Sequence, residues 1–103
     1  MNGCVYCASV HARRFAELTK QPEIIRLIYA DGVEAKLDER RQAVFDFAVK
    51  LTLTPPAAGA AEVAALRRAG LSDAEVFDLA NAVAMFAWAN RLMQTLGDPV
   101  PDA

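Results

Sequence analysis

Apolar residues return every three to four positions along most of this chain. No stretch shows the two-residue alternation or β-branched enrichment of a strand, so the pattern predicts an all-α protein. Turn signals divide it into about five helices. The first is expected from about Cys4 to Thr19, before Gln21-Pro22 interrupts; Pro22 suits the first position of a short second helix that ends near Asp31-Gly32. Gly32 is placed to cap its C-terminus. A third helix should span about Asp38 to Leu51, with acidic residues at its start and Val44, Phe45, Ala48, Val49 and Leu51 on one buried stripe. "LTLTPPAAG" reads as a loop, and a short fourth helix fits about Ala61 to Ala69, before Gly70. In "LSDAEVF", Ser72 and Glu75 have the spacing of a capping box, with Leu71 and Val76 as its hydrophobic staple.

The last helix should run on to Leu96 and stop at Gly97, ahead of Pro99 and Pro101, which makes it about 36 Å long. It is apolar around nearly its whole circumference, through Val76, Phe77, Leu79, Val83, Met85, Phe86, Trp88, Leu92, Met93 and Leu96. Such a helix is either central or sandwiched between subunits. Asn81 and Asn90 lie within that surface and need hydrogen-bond partners if buried. Composition points the same way: 103 residues suffice for one domain (1–103) with a modest core, yet 54% are hydrophobic and only 23% charged. The surplus predicts a homo-oligomer.

Charge narrows the function classes. Net charge is −2, and the pairs Arg13-Arg14, Arg40-Arg41 and Arg67-Arg68 are spread along the chain as solvated helix faces, which argues against a nucleic-acid partner. The most apolar segment is interrupted by Asp78, Asn81, Asn90 and Arg91, which argues against a membrane span. The first residues lack the basic and apolar regions of a signal peptide, so a cytoplasmic location is expected.

Candidate chemistry is confined to "MNGCVYCASVHARRF", which holds both cysteines and the only histidine. In a reducing compartment, C-x-x-C suggests a reactive or metal-binding pair over a structural staple. On a helix, Cys4, Cys7 and His11 fall within roughly 60° of arc, and His11 lies one turn beyond Cys7, where it can take the thiol proton or pair with the thiolate. The unpaired N–H groups of a first turn also favour a thiolate. A sulfenic acid on one cysteine can be attacked by the other, provided the first turn distorts or begins at Cys4, because i, i+3 positions on a regular helix are too far apart for a disulfide. Zinc is the chemical competitor, but three ligands leave a fourth to be found elsewhere. Two packed thiols with no chemistry are the other alternative. Covalent haem attachment is excluded, because Ala8 follows Cys7 where a histidine is needed.

"CVYCASVH" resembles the C-x-x-C-x-x-x-H signature of the AhpD-like alkylhydroperoxidases within the carboxymuconolactone decarboxylase superfamily. The stretch from Leu37 to Gly97 is similar to the C-terminal half of the uncharacterised peroxidase-related members, so the resemblance covers nearly the whole chain. It implies an AhpD-like helical domain that assembles as dimers, trimers or hexamers and has no tightly bound cofactor. It also implies reduction of hydrogen peroxide or small organic hydroperoxides: Cys7 attacks, Cys4 resolves the sulfenic acid into a disulfide, and His11 relays protons. An external dihydrolipoyl-type dithiol, carried on a lipoylated protein, would recycle the disulfide. The best-studied branch has a histidine before the second cysteine, where this chain has Tyr6, a candidate relay or site wall but a poor proton shuttle near neutral pH.

The resemblance further implies a glutamate base about a dozen residues before the first cysteine, where this chain has only Met1, Asn2 and Gly3. Glu17, six residues past His11, points to another face. A shortened chain, or a carboxylate contributed by a neighbouring subunit, is the expectation. Two other functions stay open: a non-catalytic helical oligomer with a redox-sensing cysteine pair, and an enzyme like the carboxymuconolactone decarboxylases.

Overall fold

The computed structural model describes Met1 and residues 3–97, the side chains of Val5 and Tyr6 excepted. Five α-helices follow one another: α1 (Val5–Thr19), α2 (Pro22–Asp31), α3 (Glu39–Thr52), α4 (Ala60–Arg68) and α5 (Asp73–Leu96). A 3₁₀ turn at Gly32–Glu34, absent from the sequence reading, tightens the exit from α2. No strand occurs among the described residues.

Helix boundaries follow from how the orphaned N–H groups at each start find acceptors. At α3 the Asp38 carboxylate accepts from Arg41 N–H at 3.0 Å, so Asp38 is the cap and Glu39 the first helical residue. Ser72 Oγ accepts from Glu75 N–H at 3.1 Å while the Glu75 carboxylate accepts from Ser72 N–H at 2.9 Å, the expected box at the start of α5. α4 begins at Ala60 instead of Ala61, because the Glu62 carboxylate reaches back to Gly59 N–H at 2.8 Å and serves as half of a box. Pro22 occupies the first turn of α2, and Gly32 and Gly97, both at positive φ, end α2 and α5.

α3, α4 and α5 pack together around Phe47, Leu66 and Leu71, a cluster of buried residues among those described. Leu66 is 0% exposed, and Val76 and Leu79 of α5 close over the same cluster. Leu71 and Val76 thus meet at the α5 entrance as a staple requires. The α1–α2 hairpin forms a second layer, and the space between the layers is the cleft described below.

Of the two placements expected for α5, central in the fold or sandwiched between subunits, the chain itself does not give the first. α5 presents Val76, Leu79 and Ala80 to the core, but none of its described residues is fully buried, and Phe77 and Trp88 are 69% and 61% exposed. Asn81 is likewise exposed, with its amide donating to the Phe77 carbonyl at 2.9 Å, so it is not an interior polar group of the chain. No helix among the described residues is long and apolar enough to cross a membrane.

Candidate functional site

Cys4 stands just outside α1 with extended backbone angles (φ −89°, ψ 95°) and acts as the N-cap, its Sγ accepting from Cys7 N–H at 3.2 Å. This settles the spacing problem. With Cys4 released from helical geometry, its Cα comes within 5.3 Å of that of Cys7, inside the range a disulfide bridges, and the two cysteines are joined as one. The helix begins after Cys4, one residue later than the pattern suggested.

Gly3 makes this approach feasible. Its φ of +71° lies in the left-handed region, and a Cβ there would stand 2.9 Å from Gln94 Nε2 on α5. Gly3 therefore lies close against the end of α5, immediately before Cys4.

Cys7 is the buried member of the pair, 7% exposed, while Cys4 is half-buried. Cys7 Sγ lies 3.3 Å from Met93 Sδ on α5. An oxidised cysteine has no thiol hydrogen to donate, so this is a packing contact between two polarisable sulfurs. His11, one turn further along α1, is exposed and sets its ring edge-on to Phe86 with centroids 4.7 Å apart.

Cys4, Cys7 and His11 all line one cleft of about 690 Å³, a volume suited to a small organic molecule. Ile28 of α2, Val33 of the 3₁₀ turn, Phe45 and Val49 of α3, and Phe86 of α5 form its apolar walls. The polar side chains reaching it are His11, Asn90 and Thr52, and Thr52 Oγ1 is already committed to the Ala48 carbonyl at 2.7 Å. None of the lining residues is Asp or Glu. Among the described residues no group of three His, Cys, Asp or Glu side chains is arranged to hold a metal ion. The Tyr6 side chain lies outside the described residues.

The structure thus brings the three site residues read from the sequence to one wall and adds Phe86, Asn90 and Met93 from α5. Phe86 and Met93, seven residues apart, share a helical face, a relation the sequence contains. That this face meets α1 is a tertiary fact that periodicity does not carry. No protein-family model matches the chain, and no curated protein matches it.

Proposed function

We propose that the protein is a thiol-dependent peroxidase of AhpD-like type, acting on hydrogen peroxide or small organic hydroperoxides in a cytoplasmic setting. The observation that carries this reading is the Cys4–Cys7 disulfide lining an apolar cleft that His11 also lines. Cys7 as thiolate attacks the outer oxygen of the hydroperoxide; the O–O bond breaks, Cys7 becomes a sulfenic acid, and the alcohol or water leaves with one proton taken up. Cys4 then attacks Cys7 Sγ, water departs, and the disulfide closes. An external dithiol restores both thiols and is itself oxidised to a disulfide.

The parts suit these steps. Cys4 caps α1 with its Sγ accepting from Cys7 N–H, so the resolving sulfur stands beside the one it must attack. Cys4 is also the more accessible sulfur for an incoming dithiol. His11 is one turn from Cys7 and on the same cleft wall, placed to exchange the proton that the leaving oxygen needs. The apolar walls favour the organic part of a hydroperoxide.

Peroxide consumption with a dihydrolipoyl-type dithiol tests this directly. The Cys7→Ser variant should lose turnover altogether, and Cys4→Ser should consume a single equivalent of peroxide and accumulate a trappable sulfenic acid. Unchanged turnover in Cys7→Ser rejects the proposal. The burial of Cys7 against Met93 favours one further reading, a redox-sensing pair. A sensor would oxidise once and show no sustained turnover in the same assay.

A further inference from the structure

The start of α1 meets α5 through contacts that run in opposite chain order. Gly3 stands against Gln94, Cys7 Sγ lies 3.3 Å from Met93 Sδ, and the His11 ring is edge-on to Phe86. Asn90 falls between the last two along α5: it lies one turn beyond Phe86 and just under a turn before Met93, and at about 100° per residue the three span about 60° of arc. Asn90 also lines the cleft. We infer that Asn90 is a further catalytic residue, its amide N–H holding the hydroperoxide oxygen that departs when Cys7 attacks. This rests on the peroxidase reading and adds to it a group that touches the departing oxygen.

Hydrogen bonding singles Asn90 out. Asn81, on the same helix, turns its amide back to the Phe77 carbonyl at 2.9 Å. Among the described residues the half-buried Asn90 amide has no hydrogen-bond partner, although the cleft walls are apolar. A polar group in such a wall costs desolvation unless something binds it. Donors are also scarce there. Thr52 spends its hydroxyl proton on the Ala48 carbonyl, so among the described side chains lining the cleft only those of His11 and Asn90 have an N–H or O–H left to offer.

The reaction has use for both donors. The Cys7 thiolate bonds to the outer oxygen, the O–O bond breaks, and its electron pair stays on the inner oxygen until a proton arrives; the sulfur is oxidised by two electrons and the hydroperoxide reduced to an alcohol or water. His11 supplies the proton. Asn90 keeps its own hydrogens, so its part is to bind the inner oxygen while negative charge builds there, and a fixed donor of that kind is worth about 10²–10³ in rate. No Asp or Glu lines the cleft to oppose that charge. Ala8, the cleft residue between Cys7 and His11 in the chain, brings only a methyl group to that stretch of wall.

The Cys4→Ser chain isolates the step, because its Cys7 reacts once with tert-butyl hydroperoxide and stops at a sulfenic acid that a trap can report. Adding Asn90→Ala should slow that reaction about 100-fold. Asn90→Asp, equal in shape but without the N–H donor once ionised, should slow it at least as much. Asn81→Ala, the same change on the same helix away from the cleft, should leave the rate as it was. Alkylation of Cys7 by iodoacetamide, which expels iodide and breaks no O–O bond, should proceed equally in all four chains. An Asn90→Ala chain that meets hydroperoxide at the parental rate overturns this inference and leaves the peroxidase reading standing. So does an Asn90→Ala chain whose alkylation slows as much as its peroxide reaction, since Asn90 would then act on the sulfur and not on the departing oxygen. A Cys4→Ser chain that is alkylated at Cys7 but inert to hydroperoxide removes the peroxidase reading itself, and this inference with it.

Discussion

Cys4 does two things through one atom. Its Sγ closes the disulfide and accepts the Cys7 N–H, so redox state and the cap of α1 change together. Beside it stands Gly3, whose left-handed backbone lies close against Gln94. In Gly3→Ala the new side chain sits at a φ that disfavours L-residues by about 1–2 kcal/mol and meets Gln94 as well. The expected result is a loss of about 1 kcal/mol in denaturant unfolding, and faster reduction of Cys4–Cys7 by an added dithiol as the residue moves off Gln94. Equal reduction rates in the two chains would mean that this contact does not guard the disulfide. That Cys7 and His11 share one wall was legible in their spacing, since an i+4 offset brings side chains together on any helix, whereas Cys4 joins them from the extended cap outside α1. Gly3's close approach was not, because it depends on which turn of α5 lies opposite.

The same division holds for the helices. Ser72 with Glu75, Pro22, and the glycines at 32 and 97 announce their boundaries, because each solves a local hydrogen-bonding or φ problem that the sequence displays. The start of α4 was missed by one residue and the 3₁₀ turn altogether. At Gly59 there is no capping side chain to read, and the cap is supplied from within the helix by Glu62. Glu62 is also held by Lys50 of α3 at 2.5 Å, and the Lys50 ammonium, with the Gly59 N–H second, lowers its pKa from 4.5 to about 2. A carboxyl depressed in the folded state contributes stability above its unfolded pKa and loses it as pH falls through the folded value. Lys50, raised chiefly by Glu62, has its contribution intact below 10.5, so it adds no acid dependence. The parent should therefore lose stability between about pH 4.5 and about pH 2. Glu62→Gln, which keeps an acceptor for Gly59 but not the charge, should show a flatter profile over that interval in acid-titrated thermal melts. Identical slopes would remove the Lys50–Glu62 pair as the link between α3 and α4.

Across the whole molecule the enclosed cluster is small for so apolar a chain. Phe47, Leu66 and Leu71 are packed at the junction of α3, α4 and α5, while the radius of gyration, 14.5 Å, exceeds the ~13 Å of a compact chain of this length. If the homo-oligomer expected from the composition forms, unfolding is coupled to dissociation and Tm rises with protein concentration. Tenfold more protein adds about 1.4 kcal/mol per dimer, roughly half of it per chain, which moves Tm of a domain this size by about 3–5 °C. Leu66→Ala, which opens a cavity at a side chain with 0% exposure, should cost about 2–5 kcal/mol and melt lower at every concentration while keeping the slope. A parent whose Tm is the same from micromolar to millimolar would show that the cluster around Leu66 suffices without a second chain.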